Sequence, residues 1–151
     1  MLTISEGQFD TLADTGHKFY GFMDLYLSRV GGGTGRTGLQ DVAVKLKLQP
    51  RDKWTFKADF HHFMTSTNIG GNVALANAAG YNTVGGNRRL DNDLGSELDL
   101  TLVHKYNANT KIVFGYSNYW ATQTFAAVNG AAAASGFDAA SWGYMMMDVK
   151  F

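Results

Sequence analysis

The chain ends in the stretch Trp142-Gly143-Tyr144-Met145-Met146-Met147-Asp148-Val149-Lys150-Phe151. Side chains of a β-strand alternate between its two faces, so every second residue from Met145 to Phe151 is apolar and shares one face. Asp148 and Lys150 fall on the other face. Such a strand fits two settings, a lipid-facing wall and a soluble sheet, and the rest of the chain decides between them.

The overall composition excludes several classes of protein. Of 151 residues 45% are apolar and 17% charged, and 13 basic side chains cancel 13 acidic ones, which argues against nucleic-acid binding. Cysteine is absent, which excludes disulfides and thiolate metal sites. The chain contains no apolar run of about 18 residues, the length of a transmembrane helix. Residues 1–16 lack the basic start and apolar core of a signal peptide, so an exported protein would stand here in processed or truncated form.

Four further segments alternate between apolar and polar residues. Residues 39–49 and 54–61 do so on either side of a turn, and residues 97–106 and 112–120 repeat the arrangement. This periodicity predicts two β-hairpins. With the last strand they make five antiparallel strands, which is an all-β fold.

The connections between these strands alternate in length. Tight turns are predicted at 50–53 and 107–110, whereas 65–93 and 126–140 are long segments rich in Gly, Asn and Ala. Transmembrane barrels combine short periplasmic turns with long extracellular loops in this way. If the last residue lies at the periplasmic end, both tight turns lie there too.

Residues 1–38 are predicted to be mostly a loop or a pore-mouth segment within a single unit that spans 1–151. Inside it, the stretch His17–Val30 fits both helical and strand spacing, which leaves a sixth strand open. Gly21 weakens both alternatives, and we favour an irregular or partly helical segment.

Pattern and loop order together favour an antiparallel transmembrane β-barrel segment over a soluble sheet, and hence the bacterial outer membrane. The bilayer would cover the apolar face, and barrel-assembly machinery would recognise the C-terminal strand. Aromatic residues near the strand ends are predicted to form two interfacial girdles. These are Trp54, Tyr106 and Phe151 on the inner side, and Phe60, Trp120 and Trp142 on the outer side.

The opposite faces of the strands are predicted to line the lumen. The candidate pore-lining residues are Lys45, Lys47, Lys57, Asp59, His61, Glu97, Asp99 and Lys105. Charges on neighbouring strands can pair and stiffen the wall, and they also set the field that a permeating solute experiences. Both functions remain open from the sequence.

Several short motifs occur in an order typical of one protein family. They are Gly16-His17-Lys18-Phe19-Tyr20-Gly21-Phe22-Met23-Asp24-Leu25, Leu39-Gln40-Asp41-Val42, Lys57-Ala58-Asp59-Phe60-His61-His62-Phe63, Leu94-Gly95-Ser96-Glu97-Leu98-Asp99-Leu100 and Gly115-Tyr116-Ser117. In this order they resemble the C-terminal part of the alginate-export family of outer-membrane barrels, from about Phe9 to the final strand. The resemblance implies a many-stranded channel, in some members a conduit for an anionic polysaccharide through a pore lined by basic groups.

The chain departs from this family pattern in two respects. Five strands are fewer than the eight or so of the smallest bacterial barrels, and an open sheet would leave unpaired edges in lipid. We therefore expect the C-terminal portion of a larger barrel, or a chain completed by strands from another chain. The inward charges are also mixed in sign. In the family, residues 17–25 belong to an outer loop, which is expected to fold against or into the pore mouth.

Other motifs are better explained by structure than by chemistry. The fingerprint-like run Gly33–Gly38 precedes a predicted strand instead of the helix that dinucleotide binding requires, which favours an outer loop. The adjacent His61 and His62 would point to opposite faces, so a lumen hydrogen bond and an interfacial position are expected instead of a shared metal. Asp91 and Asp93 could hold Ca²⁺, although a strand-initiating turn is favoured.

Aromatic residues Tyr20, Phe22 and Tyr26 could stack on a sugar at the pore mouth, although packing of a loop onto the barrel is the more usual explanation. The sequence offers no nucleophile and base pair, so neither enzyme activity nor a cofactor is predicted. Three functions are compared: passive transport of hydrophilic solutes or an anionic oligosaccharide through an outer-membrane pore, a non-conducting anchoring component of a larger assembly, and a soluble sheet that binds a ligand.

Overall fold

A computed structural model describes residues 20–26, 38–66, 91–128 and 139–151. Its described part contains five strands and one short helix: β1 (Leu39–Arg51), β2 (Trp54–Thr65), β3 (Asp93–Lys105), β4 (Thr110–Ala121), α1 (Gln123–Val128) and β5 (Ala139–Val149). The strands form one antiparallel sheet in the order β1-β2-β3-β4-β5. The predicted all-β fold and its antiparallel meander are therefore confirmed, and the sheet is consistent with a segment of a β-barrel.

Both predicted hairpins are present. β1 and β2 are joined by a turn at Asp52 and Lys53, and the register between them shifts after Leu48. Pro50 has no amide hydrogen to donate and lies in this irregular part of β1, where a missing hydrogen bond between the strands is tolerated. β2 continues to Thr65 and β3 begins at Asp93, so the two strands reach both ends of the predicted long loop.

The helix α1 is a departure from the prediction, which assigned residues 126–140 to a loop. Its N-terminus is capped by Thr122, whose Oγ1 accepts the amide hydrogen of Phe125 at 3.2 Å. The helix has only six residues, too few for a periodic apolar face to be visible in the sequence. Within the described residues no helix is long and apolar enough to cross a membrane.

The described part of the ambiguous N-terminal stretch, residues 20–26, consists of bends and turns without helix or strand. Gly21 has φ +82° and Asp24 φ +55°, so both lie in the left-handed region. This agrees with the irregular alternative. The first residues of the run Gly33–Gly38 lie outside the described residues, but the strand β1 that follows at Leu39 confirms that no helix begins there.

The two faces of the sheet differ in character. On one face, large apolar side chains keep between 40% and 72% of their surface exposed, namely Val42, Val44, Leu46, Leu48, Phe60, Phe114, Tyr116, Trp120, Met145, Met147 and Val149. The other face carries the charged residues and, near the ends of the strands that lead into the long connections, a buried cluster of Tyr26, Phe63, Leu94, Tyr119 and Phe125. The core of the described chain thus lies on the polar face.

Candidate functional site

The strand register brings all eight candidate lining residues onto one face of the sheet. Lys45 pairs with Asp59 across β1 and β2, and Asp59 in turn pairs with Asp99 on β3. Pairing of His61 with Glu97 and of Lys47 with Lys57 continues the same face, on which Lys105 follows toward the turn. We call this surface the polar face.

Charge on the polar face is sorted along the strand direction. Acidic groups and His61 lie toward the ends that lead into the long connections, where Asp41 and Glu97 are found. Positive charge dominates toward the tight turns, where Lys47 and Lys57 face each other. The sequence alone suggested a mixture of signs, and the register shows that positive charge predominates toward the tight turns, where Asp148 also lies, while Lys45 shares its row with Asp59 and Asp99.

Ion pairs neutralise some of these charges and leave others. Lys45 Nζ lies 3.6 Å from Asp59 Oδ2, and Lys111 Nζ lies 2.8 Å from Asp148 Oδ2. Within the described part of the chain, neither Lys47 nor Lys57 has an ion-pair partner, and both are exposed. Like charges directly opposite each other in an antiparallel pair repel, so this lysine pair is unfavourable for the fold alone.

The irregular segment 20–26 covers the acidic part of the polar face. The amide of Met23 donates to Glu97 Oε1 at 2.9 Å, and the amide of Phe22 donates to Asp99 Oδ2 at 3.2 Å. Glu97 is fully buried and Asp99 is 2% exposed. This stretch was expected to fold against or into a pore mouth, and these contacts, which join residues 74 and 77 positions apart, hold it on the polar face of the sheet.

This cover changes the predicted lining. His61, Glu97 and Asp99 lie on the expected face, but they are buried and so do not meet an open lumen. His61 Nδ1 is bonded to Asp41 Oδ2 at 2.8 Å and its ring stacks on Phe63, so His61 has a hydrogen-bond partner on the polar face. The prediction could not include this burial because it depends on a segment distant in sequence.

An aromatic cluster anchors the far end of the same segment. The ring of Tyr26 lies 4.5 Å from that of Phe63, and its hydroxyl is hydrogen-bonded to the hydroxyl of Tyr119. Tyr119 in turn donates to the carbonyl oxygen of Leu94 at 2.6 Å. Burial raises the pKa of Tyr26 above its usual range, so the phenol is neutral at ordinary pH. Packing therefore explains Tyr26, as the structural alternative for this residue predicted.

Five of the six predicted girdle residues fall into two groups. Trp54, Phe60 and Trp120 are on the apolar face, although Phe60 lies five residues before the end of β2 instead of at its edge. Tyr106 and Phe151 follow strand ends and are exposed.

The prediction that Trp142 belongs to the outer girdle is wrong. It pairs with Ser117, whose hydroxyl is buried on the polar face, and it lies two residues from Tyr144 on the same side of β5. Strand parity explains the position, because Asp148 is six positions after Trp142, an even step that keeps the same face, whereas Phe151 is nine positions after it, an odd step. Trp142 therefore does not belong to the girdle on the apolar face.

The remaining candidates have structural functions in the described residues. Asp91 Oδ1 accepts hydrogen bonds from the Asp93 amide and from Thr124 Oγ1, and Asp93 Oδ1 accepts one from the Gly95 amide. These bonds form the strand-initiating turn that was favoured over a Ca²⁺ site. His62 points away from His61 and bonds Ser96 Oγ at 3.0 Å on the apolar face.

Three contributors to the polar face were missed in the sequence. Gly21 packs directly on the Glu97 carboxylate, Tyr144 lies over Gly115, and Lys111 is paired with Asp148. The parity of β4 and β5 contained the signal for Lys111 and Tyr144. No sequence signal indicated that Gly21 would meet Glu97.

Comparison with known proteins supplies one further finding. A family model described as alginate export matches residues 8–137. No curated protein and no solved structure shows a significant match to the chain.

Proposed function

Because the chain belongs to the alginate export family, we propose that it forms part of the wall of an outer-membrane channel for a hydrophilic, anionic polysaccharide. The family associates the chain with export across a membrane and is consistent with an outer-membrane location. Passage through a porin-type pore, with these strands as its wall, is the finer statement and is our proposal.

The observation that carries the proposal is the contrast between the two faces of the sheet. A continuous surface of exposed Val, Leu, Phe and Met is unfavourable in water and suits contact with lipid chains. On the opposite face, no acidic side chain of the described residues forms an ion pair with Lys47 or Lys57. Two lysines that repel each other in the fold would gain a counter-charge whenever a polyanion passes.

The segment 20–26 gives the proposed channel a narrow part. It lies on the polar face, held by Glu97 and Asp99, and so occupies space that a cylinder of strands would leave open. The solute would pass beside this segment and over the lysines beyond it. Since the smallest barrels have about eight strands, the proposed channel includes further strands, from the same protein or from another chain.

Reconstitution of the full chain in planar lipid bilayers tests this function. We expect steady ion conductance with a preference for anions, which the variant Lys57→Gln reduces because it removes one of the two free charges. The matched control Lys53→Gln removes the same charge from the turn after β1, outside the strands, and should change selectivity less.

Two outcomes would contradict the proposal. A correctly folded, membrane-inserted preparation without conductance would favour the anchoring alternative. A chain that stays monomeric and soluble without detergent, with no heat-dependent shift in gel mobility, would favour a soluble binding sheet.

A further inference from the structure

Three aromatic side chains form a connected surface on the polar face, separate from the buried cluster around Tyr26. The ring centroids of Trp142 and Tyr144 are 4.9 Å apart with an interplanar angle of 32°, and the ring of Phe22 lies 6.2 Å from that of Tyr144. We call Phe22, Tyr144 and Trp142 the aromatic platform. It joins the segment 20–26 to the edge strand β5 of the described sheet.

Part of the platform is accessible to solvent. In the buried cluster, Phe63 and Tyr119 are fully inaccessible, as expected for aromatic residues that stabilise a core. Trp142 instead keeps 38% of its surface exposed. A large exposed indole on a face that also carries lysines and carboxylates is the kind of group that binding sites use for ring-shaped ligands.

The platform and the two unpaired lysines share one row of the strand register. Across the sheet, one register row runs from Tyr144 through Gly115 and Thr101 to Lys57 and Lys47. Gly115 has no side chain, and Tyr144 occupies the space above it so closely that a Cβ there would lie 1.9 Å from its ring. Thr101, which is 6% exposed, thus lies between the aromatic surface and the two lysines.

The spacing of this row suits an acidic polysaccharide longer than one sugar residue. Tyr144 and Lys57 are three strand intervals apart, about 14 Å along a flat sheet. One pyranose ring can stack its C–H face on an aromatic ring, while the carboxylate of another residue of the same polysaccharide meets the ammonium groups. Neither half of the row alone would distinguish a sugar acid from a simple anion.

We infer that the platform is a binding subsite for uronate residues of the transported polysaccharide, with Trp142 and Tyr144 stacking on one sugar ring and Lys57 and Lys47 holding the carboxylate of another residue of the same polysaccharide. This inference rests on the proposed function, since it concerns the same face and the same class of substrate. It adds a specific position at which the chain recognises the sugar and not only its charge.

Binding of alginate oligosaccharides to the full chain in detergent micelles tests the subsite, with titration calorimetry as the readout. Replacement of an exposed aromatic anchor commonly costs more than 1 kcal/mol, or about fivefold in affinity, so Trp142→Leu should weaken binding by at least about fivefold. The matched control Trp120→Leu changes the same residue type on the apolar face and should leave the affinity unchanged. Equal affinity of Trp142→Leu and the unchanged protein, with both folded, would overturn the inference.

A second measurement follows the fluorescence of Trp142 itself and does not depend on a variant that binds more weakly. With Trp54→Phe and Trp120→Phe in place, Trp142 is the remaining tryptophan of the three in the chain. Its fluorescence should be quenched by acrylamide from water, protected when the oligosaccharide is added, and insensitive to brominated lipid. Quenching by brominated lipid without protection by sugar would overturn the subsite. Absent conductance, measured on the same preparation, would instead refute the proposed channel, whatever Trp142 does.

Discussion

Substitution of Gly21 by alanine should detach the segment 20–26 from the sheet. Gly21 has φ +82°, and a Cβ at this position would lie 2.6 Å from Cδ, Oε1 and Oε2 of Glu97. An L-residue in the left-handed region costs about 1–2 kcal/mol. Displacing the carboxylate also removes its bond from the Met23 amide, and an unsatisfied buried polar group costs about 1–3 kcal/mol.

The two effects sum to about 2–5 kcal/mol, which at the lower figure raises the undocked population about 30-fold. Hydrogen exchange with mass spectrometry, on the folded chain in micelles, measures this directly, because the amides of Phe22 and Met23 are the donors to Asp99 and Glu97. We expect these amides to lose protection in Gly21→Ala while the strands keep theirs.

The control is Gly143→Ala in β5. A Cβ there would meet its nearest neighbour, the carbonyl oxygen of Gly115, at 3.6 Å, an ordinary contact without positive φ. The reasoning would be refuted if Gly21→Ala retained the protection of the Phe22 and Met23 amides, or if Gly143→Ala lost it to the same extent.

Two further predictions concern aromatic contacts. Gly115→Ala should lower the free energy of unfolding by about 1–3 kcal/mol through overpacking, because the methyl would lie 1.9 Å from the Tyr144 ring, and a lower urea midpoint measures this loss. Adding Tyr144→Ala should restore much of that stability. No restoration in the double variant would contradict the contact. Tyr26→Phe should weaken docking of the segment by about 0.5–1.5 kcal/mol through loss of the hydroxyl bond to Tyr119. Since burial raises the pKa of Tyr26, docking should persist below the ordinary tyrosine pKa of about 10 and weaken above it. Phenolate absorbance and amide exchange measure this loss, and an unchanged alkaline response in Tyr26→Phe would contradict its assignment to Tyr26.

Much of the sheet could be predicted because one of its faces is continuously apolar. Alternation from Val42 to Leu48 fixes which residues share a face, and a tight turn then fixes how the next strand pairs. The same parity was sufficient to place Trp142 beside Tyr144, but proximity to a strand end was given more weight. The alternation in β5 alone would therefore have placed Trp142 on the polar face and not in the girdle.

Burial of the site could not be predicted in the same way. Glu97 and Asp99 alternate as lumen residues should, yet the amides that cover them come from residues 74 and 77 positions earlier. A contact of this kind depends on three-dimensional packing and on the left-handed backbone of Gly21, not on any local period. The helix α1 was missed for a related reason, since six residues held by the Thr122 cap carry little periodic signal.

In the proposed channel, one face of the sheet meets lipid and the other meets water. The chain contains no cysteine, so single cysteines can be introduced without background. In outer-membrane vesicles, Lys57→Cys should react with a membrane-impermeant maleimide, whereas Val44→Cys, which is 67% exposed on the apolar face, should react only with a lipid-soluble reagent. Equal labelling of both positions from water would contradict the account.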